Sequence, residues 1–106
     1  MTIEAEGDLL ELLMTGNNRR YKNIVRNTEL FACFKRVVND MKAAENIEAL
    51  KNLSYMHYEK LKYELSGLSS VRLSNRYVHR LIFEEKEDLI SLKLIEIDDT
   101  HYGNKK

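Results

Sequence analysis

The sequence predicts an α+β domain: two or three helices in the N-terminal half, packed on one face of a mainly antiparallel sheet of four or five strands. Two observations carry this. Leu30, Phe31, Phe34, Val37, Val38 and Met41 recur at helical spacing as a single apolar stripe. From about residue 58 the apolar residues instead follow strand periodicity to the end of "LISLKLIEI". Such segregation of helices and strands makes a two-layer domain rather than alternating βα units. Proline is absent and the four glycines are scattered, so nothing marks a linker and residues 1–106 form one domain.

The elements follow in order. "TIEAEGDLLELLMTG" reads as a short strand and a helical turn ended by Gly16. "NNRRYKNIVRN" shows no clear period and reads as a basic loop. The long helix begins at Thr28 as N-cap, and Asn46 caps a shorter helix through "IEALKNL". "YEKLKYEL" reads as a ragged edge strand on which Glu59 and Lys60 face opposite ways, while Lys60 and Lys62 share a face. "SSVRLSN" alternates Val71 and Leu73 against Arg72 and Ser74 and turns at Ser74-Asn75. "RYVHRLIFEE" places Tyr77, Leu81 and Phe83 on one face with Val78 and Ile82 on the other, as in a central strand covered on both sides. "EEKED" is a charged turn, and "LISLKLIEI" is a second central strand.

Composition narrows the function classes. One cysteine, Cys33, permits no internal disulfide and fits a reducing compartment. No apolar run reaches membrane-spanning length and the acidic opening is unlike a signal peptide, which predicts a soluble cytoplasmic protein with no membrane partner. The net charge of +0 conceals an asymmetry: residues 1–16 carry −4, residues 17–80 carry +7, and residues 81–106 carry −3. So basic a middle section can meet a polyanion, because phosphate binding depends on local potential. A merely solvated charged surface is the competing interpretation.

Several side chains are candidates for chemistry. Arg80 shares a strand face with Val78 and Ile82, so it either pairs with a neighbouring carboxylate or floors a cleft where a planar cation meets a phosphate. His57, Glu59, Lys60 and Lys62 cluster in "HYEKLK", and Arg72 and Arg76 flank the next turn. The tail "DDTHY" directly follows an apolar strand. Histidine titrates near neutral pH, which makes His101 a candidate to move a proton in phosphodiester cleavage, and Asp99 lies on the same side of an extended chain. Asp98, Asp99 and His101 as metal ligands lack a further ligand cluster, so neither a metal nor another cofactor is expected. Walker, GxSxG, CxxC and HExxH motifs are absent.

The stretch "LKYELSGLSSVRLSNRYVHRLIFEEKEDLISLKLIEIDDTHY" resembles the RelE-like toxins of bacterial type II toxin–antitoxin pairs, in particular the HigB branch. That branch carries "LKG", a strand like "YSVRL", an aromatic-Arg-Ile/Leu-x-Phe strand and a terminal "EIxDYH". Here these become "LKYEL", "SSVRL", "HRLIF" and "EIDDTHY", and "RRYKNIV" and "FKRVV" fit the preceding helices. The resemblance implies a RelE/ParE-like fold with a curved sheet and a metal-independent endoribonuclease, an mRNA interferase that inhibits translation on the ribosome. In that chemistry the ribose 2′-hydroxyl attacks the neighbouring phosphate. A base takes its proton, cations hold the phosphate charge, and an acid protonates the departing 5′ oxygen.

Residue by residue, the resemblance implies Arg80 as the phosphate-charge stabiliser, His101 as general acid or base, and Asp99 beside it. Lys62 corresponds to the lysine of "LKG"; with Lys60, Arg72, Arg76 and Tyr102 it is expected to contact RNA. Two positions depart from the pattern. Thr100 stands in place of the tyrosine of "DYH", with Tyr102 the nearest substitute. Glu59 stands where some relatives carry histidine, so the general base is Glu59 or His57. The implied partners are the ribosome with its mRNA and a HigA-like helix-turn-helix antitoxin, with operator DNA reached only through the antitoxin complex. Two alternatives remain: a non-enzymatic ParE-like toxin that binds DNA gyrase, and an inactive structural member of an operon complex.

Overall fold

The computed structural model describes residues 1–87 and 89–97, with Glu64 described by its backbone alone. Strand β1 (Thr2–Ala5) is followed by α1 (Gly7–Thr15), α2 (Lys22–Arg26), α3 (Thr28–Ala43) and α4 (Ile47–Lys51). Strands β2 (Glu59–Lys60), β3 (Ser69–Arg72), β4 (His79–Lys86) and β5 (Leu89–Ile97) complete one five-stranded sheet of order β1-β5-β4-β3-β2. All neighbours are antiparallel except β1, which lies parallel to β5. The α+β class is as expected, and β5 takes in the whole of the apolar run "LISLKLIEI". No helix among the described residues is long and apolar enough to cross a membrane.

Local chemistry explains the helix ends. Gly16 ends α1 with φ 73°, a left-handed conformation that only glycine adopts without strain. Asn46 caps α4 as expected, its Oδ1 accepting from Ala49 N at 2.9 Å. The cap of α3 is Asn27 rather than Thr28: its Oδ1 accepts from Leu30 N at 3.1 Å, and Thr28 is already helical. The expected basic loop contains α2, a fourth helix. Tyr21 and Ile24 are buried one turn apart, and buried Asn18 receives the Tyr21 N–H and donates to Asp8 and Glu11. The Tyr21 hydroxyl accepts from Ile95 N, a position of β5 beyond the four residues that β1 covers.

The edge strand is much shorter than "YEKLKYEL" suggested. β2 ends at Lys60, and Tyr63–Leu65 form a 3-10 turn entered through Tyr63 at φ 61°. Lys62 therefore shares no strand face with Lys60.

The core lies between the helices and one sheet face. Leu9, Leu12, Phe34, Val37, Val38 and Met41 meet Val71, Leu81, Phe83, Ile90, Leu92 and Ile95 there. Leu92 and Ile95 are three residues apart, so strict alternation would turn one of them outward. A bulge resolves this: Ile82 pairs with Leu94 and Phe83 with Leu92, leaving Lys93 as the extra residue. Lys93 instead approaches the Glu84 carboxylate at 3.5 Å. The bulge turns both Leu92 and Ile95 to the helices and sets the register of everything after it. Ile82 is fully buried yet lies outside the helix-side core, so β4 is covered on both faces.

Candidate functional site

Register and the two-residue strand period assign each candidate to a face. Val71, Leu81 and Ile95 form a cross-strand row on the helix side. The next row, Arg72–Arg80–Glu96, therefore projects from the opposite face. Glu59 pairs with Ser70, and Ser70 with Ile82, so Glu59 shares that face. It lies on the diagonal from Arg72, about 7–8 Å away between Cα atoms. Folding thus brings Glu59, Arg72 and Arg80 together from three strands.

The Arg80 side chain is only 12% exposed. Its Nε and Nη2 both donate to Glu96 Oε2, at 3.0 and 2.5 Å. Of the two readings of Arg80 offered by the sequence, the ion pair is present: the guanidinium pairs with Glu96 across β4 and β5. Arg72 donates from Nη1 to the Tyr77 carbonyl at 3.3 Å. Arg72 and Arg80 stand directly opposite each other on neighbouring strands, which concentrates positive charge on this row. Glu96 was not singled out from the sequence. Its parity with Leu94 was visible, but its pairing with Arg80 depends on the Lys93 bulge.

Other candidates are drawn elsewhere. Lys60 lies on the helix side of the sheet, 3.4 Å from Glu85. Ser69 Oγ donates to the same Glu85 Oε2 at 2.6 Å, and the Tyr58 hydroxyl donates to it as well. Arg76 in the β3–β4 turn grips Glu29 at the start of α3 with contacts of 3.0 and 2.8 Å, and Tyr77 adds its hydroxyl to Glu29. Lys62 is exposed between β2 and the 3-10 turn. His57 sits at φ 50° with Nε2 2.9 Å from Asn75 Oδ1, which ties it to the same turn. Asp99, His101 and Tyr102 lie outside the described residues, as does the Asp98–Asp99–His101 set weighed as metal ligands. β5 is described up to Ile97, which pairs with His79 beside Arg80.

Burial pushes the His79 pKa down, which keeps the imidazole neutral at physiological pH, and its Nδ1 finds no hydrogen-bond partner among the described residues. Burial also tends to raise the Glu85 pKa, but the Ser69 and Tyr58 hydroxyls and the Lys60 ammonium together hold it below its ordinary value. Tyr58 is correspondingly pushed up to about 12, by burial and by the Glu85 carboxylate it donates to.

A folded carboxyl with a lowered pKa stabilises the fold above the unfolded pKa, and that contribution is lost as pH falls through the folded pKa. Glu85→Gln is therefore expected to lower stability by about 1 kcal/mol at neutral pH. The difference from wild type should shrink as pH drops below 4.5, the ordinary value of the group. Urea midpoints across that range read this directly; a constant difference at every pH would count against the assignment.

No protein-family model matches the sequence, and no curated protein matches it. Solved structures do match. The crystal structure of YafQ from E. coli strain BL21(DE3) aligns with a TM-score of 0.65 at 12% identity, over 95% of this chain and 97% of that one. A chain of the YoeB-YefM complex from Staphylococcus aureus aligns with a TM-score of 0.54 at 18% identity, over 92% and 97%. The heterotetrameric YoeB-YefM toxin-antitoxin complex from the same organism gives 0.53 at 17%, again over 92% and 97%. The fold is thus RelE/ParE-like, matched over nearly the whole length of each chain.

Proposed function

We propose that the chain is the toxin of a type II toxin–antitoxin pair, an mRNA interferase of the HigB branch that cleaves messenger RNA on the ribosome. The observation that carries this is the Arg72–Arg80 pair on the sheet face opposite the helix-side core, with Glu59 on the diagonal. The fold likeness to YafQ and YoeB, the latter in complexes whose name includes an antitoxin, adds support. The HigB assignment rests on the motifs "SSVRL", "HRLIF" and "EIDDTHY".

In this reading the mRNA backbone lies along the β3–β4–β5 face. Glu59 accepts the proton of the ribose 2′-hydroxyl, and the oxygen attacks the adjacent phosphorus. Arg80 and Arg72 hold the charge that builds on the phosphate oxygens. His101 gives a proton to the 5′ oxygen as its bond to phosphorus breaks, leaving a cyclic phosphate. Among the candidate bases, Glu59 is favoured over His57 because Glu59 shares the face with both arginines, whereas His57 is tied to Asn75. Lys62 and Tyr102 extend the RNA contact; Lys60 and Arg76 act chiefly within the fold. The partner that restrains the toxin is a HigA-like antitoxin, and operator DNA is met only through that complex.

The test is induced expression without antitoxin, with mRNA 5′ ends mapped in the same cells. New cuts in phase with the reading frame are expected as growth stops. Growth arrest with intact mRNA would overturn the nuclease reading in favour of a gyrase-binding toxin, and harmless expression would favour an inactive member of an operon complex.

A further inference from the structure

We propose that Glu96 is a positioning residue, holding the Arg80 guanidinium in the plane and place from which it meets the scissile phosphate; this rests on the nuclease reading above. Arg72 and Arg80 oppose each other directly across β3 and β4. Repulsion alone would swing two such long side chains apart. Glu96 stands opposite Arg80 on the other neighbouring strand. It gathers Nε and Nη2 onto a single oxygen, Oε2, at 3.0 and 2.5 Å.

The contact to Nε is the informative one. That nitrogen lies on the stem of the side chain, so bonding it together with Nη2 fixes the plane of the group. Contacts through the terminal nitrogens alone would let the plane turn. The carboxylate also offsets the desolvation of a cation whose side chain is only 12% exposed, and it draws Arg80 towards β5 and away from Arg72. Arg72 in turn donates to the Tyr77 carbonyl. The Arg72–Arg80–Glu96 row keeps a net charge of +1 with its two cations held in separate places. The Lys93 bulge sets this up, because without the extra residue Arg80 would face Ile95.

The experiment is single-turnover mRNA cleavage on programmed ribosomes with the full-length protein, alongside thermal melts of every variant. Glu96→Ala is expected to lower the limiting rate about 10- to 100-fold, because misplacing a transition-state contact costs rate on that scale. The half-saturating protein concentration should move less than about threefold, as for a contact that matters in the transition state. Glu96→Gln retains an oxygen acceptor for Nε and Nη2 and should recover the rate to within about threefold of wild type. In an Arg80→Ala background, Glu96→Ala should cost less than about twofold more.

Equal losses in both backgrounds, or a glutamine variant no better than alanine, would overturn the positioning role. So would faster cleavage by Glu96→Ala, which would mean that the carboxylate competes with the phosphate. A loss that merely tracks the melting temperature would likewise sink it. A wild type that cleaves nothing overturns the nuclease reading and this role together, whereas wild-type cleavage untouched by Glu96→Ala overturns this role alone.

Discussion

If the chain is the nuclease proposed, alanine at Arg80 is expected to lower mRNA cleavage about 10²- to 10³-fold, the usual result of removing one group aimed at developing transition-state charge. Arg80 is the cation to remove because folding has already paired it and fixed its plane on Glu96. Little rotamer entropy is left to lose when RNA arrives, so its contribution goes to the transition state rather than to binding. The limiting rate should therefore fall much more than ribosome affinity. Stability should change by only about 1 kcal/mol, because Glu96 retains enough exposure to be rehydrated once its partner is gone. Arg80→Lys separates charge from shape. A lysine restores the positive charge but not the planar fork that grips Glu96 and phosphate at once, and it should recover only part of the rate. Equal activity of the alanine variant and wild type would remove Arg80 from the site.

The reach of the sequence is clearest where one element decides the matter alone. The α3 stripe needs only its own spacing, and the apolar run Leu89–Ile97 lies in β5 throughout. Where two residues compete for one role, local pattern is not enough: Asn27 and Thr28 are both good caps, and the chain enters the helix at the first. The helix at Lys22–Arg26 was hidden because only Tyr21, Ile24 and Val25 carry its apolar face, too few to show a period among so many charges. The parallel placement of β1 against β5 joins opposite ends of the chain, which no window of sequence contains. The site divides along the same line. That Arg80 faces away from Leu81 is local, whereas its being opposite Arg72 and Glu96 is a matter of register across three strands. One bulge at Lys93 decides half of that register. The same non-locality separates Lys60 from Arg72: one residue of parity puts the lysine beside Glu85 on the helix side.

Alanine at His101 is the second large effect, about 10²- to 10⁴-fold in cleavage rate if the imidazole protonates the departing oxygen. A 5′ alkoxide is too basic to leave readily unaided, so the step needs a proton donor more than the phosphate needs any one further cation. Candidates within the described part of the site are few. His79 is kept neutral by burial and lies on the helix-side parity of β4, and His57 is tied to Asn75. That leaves the histidine of "DDTHY", which follows β5 in the chain four residues after Ile97, the partner of His79. A histidine acting as proton donor makes the wild-type rate fall as pH rises and the imidazolium is lost, and the alanine variant should lack that fall. Ribosome binding should persist in the variant, so an excess of it should protect mRNA from the wild type. The same substitution distinguishes the nuclease from a gyrase-binding toxin on this scaffold. A toxin that only binds needs no proton donor, and its growth arrest should survive the change intact; a nuclease's should not.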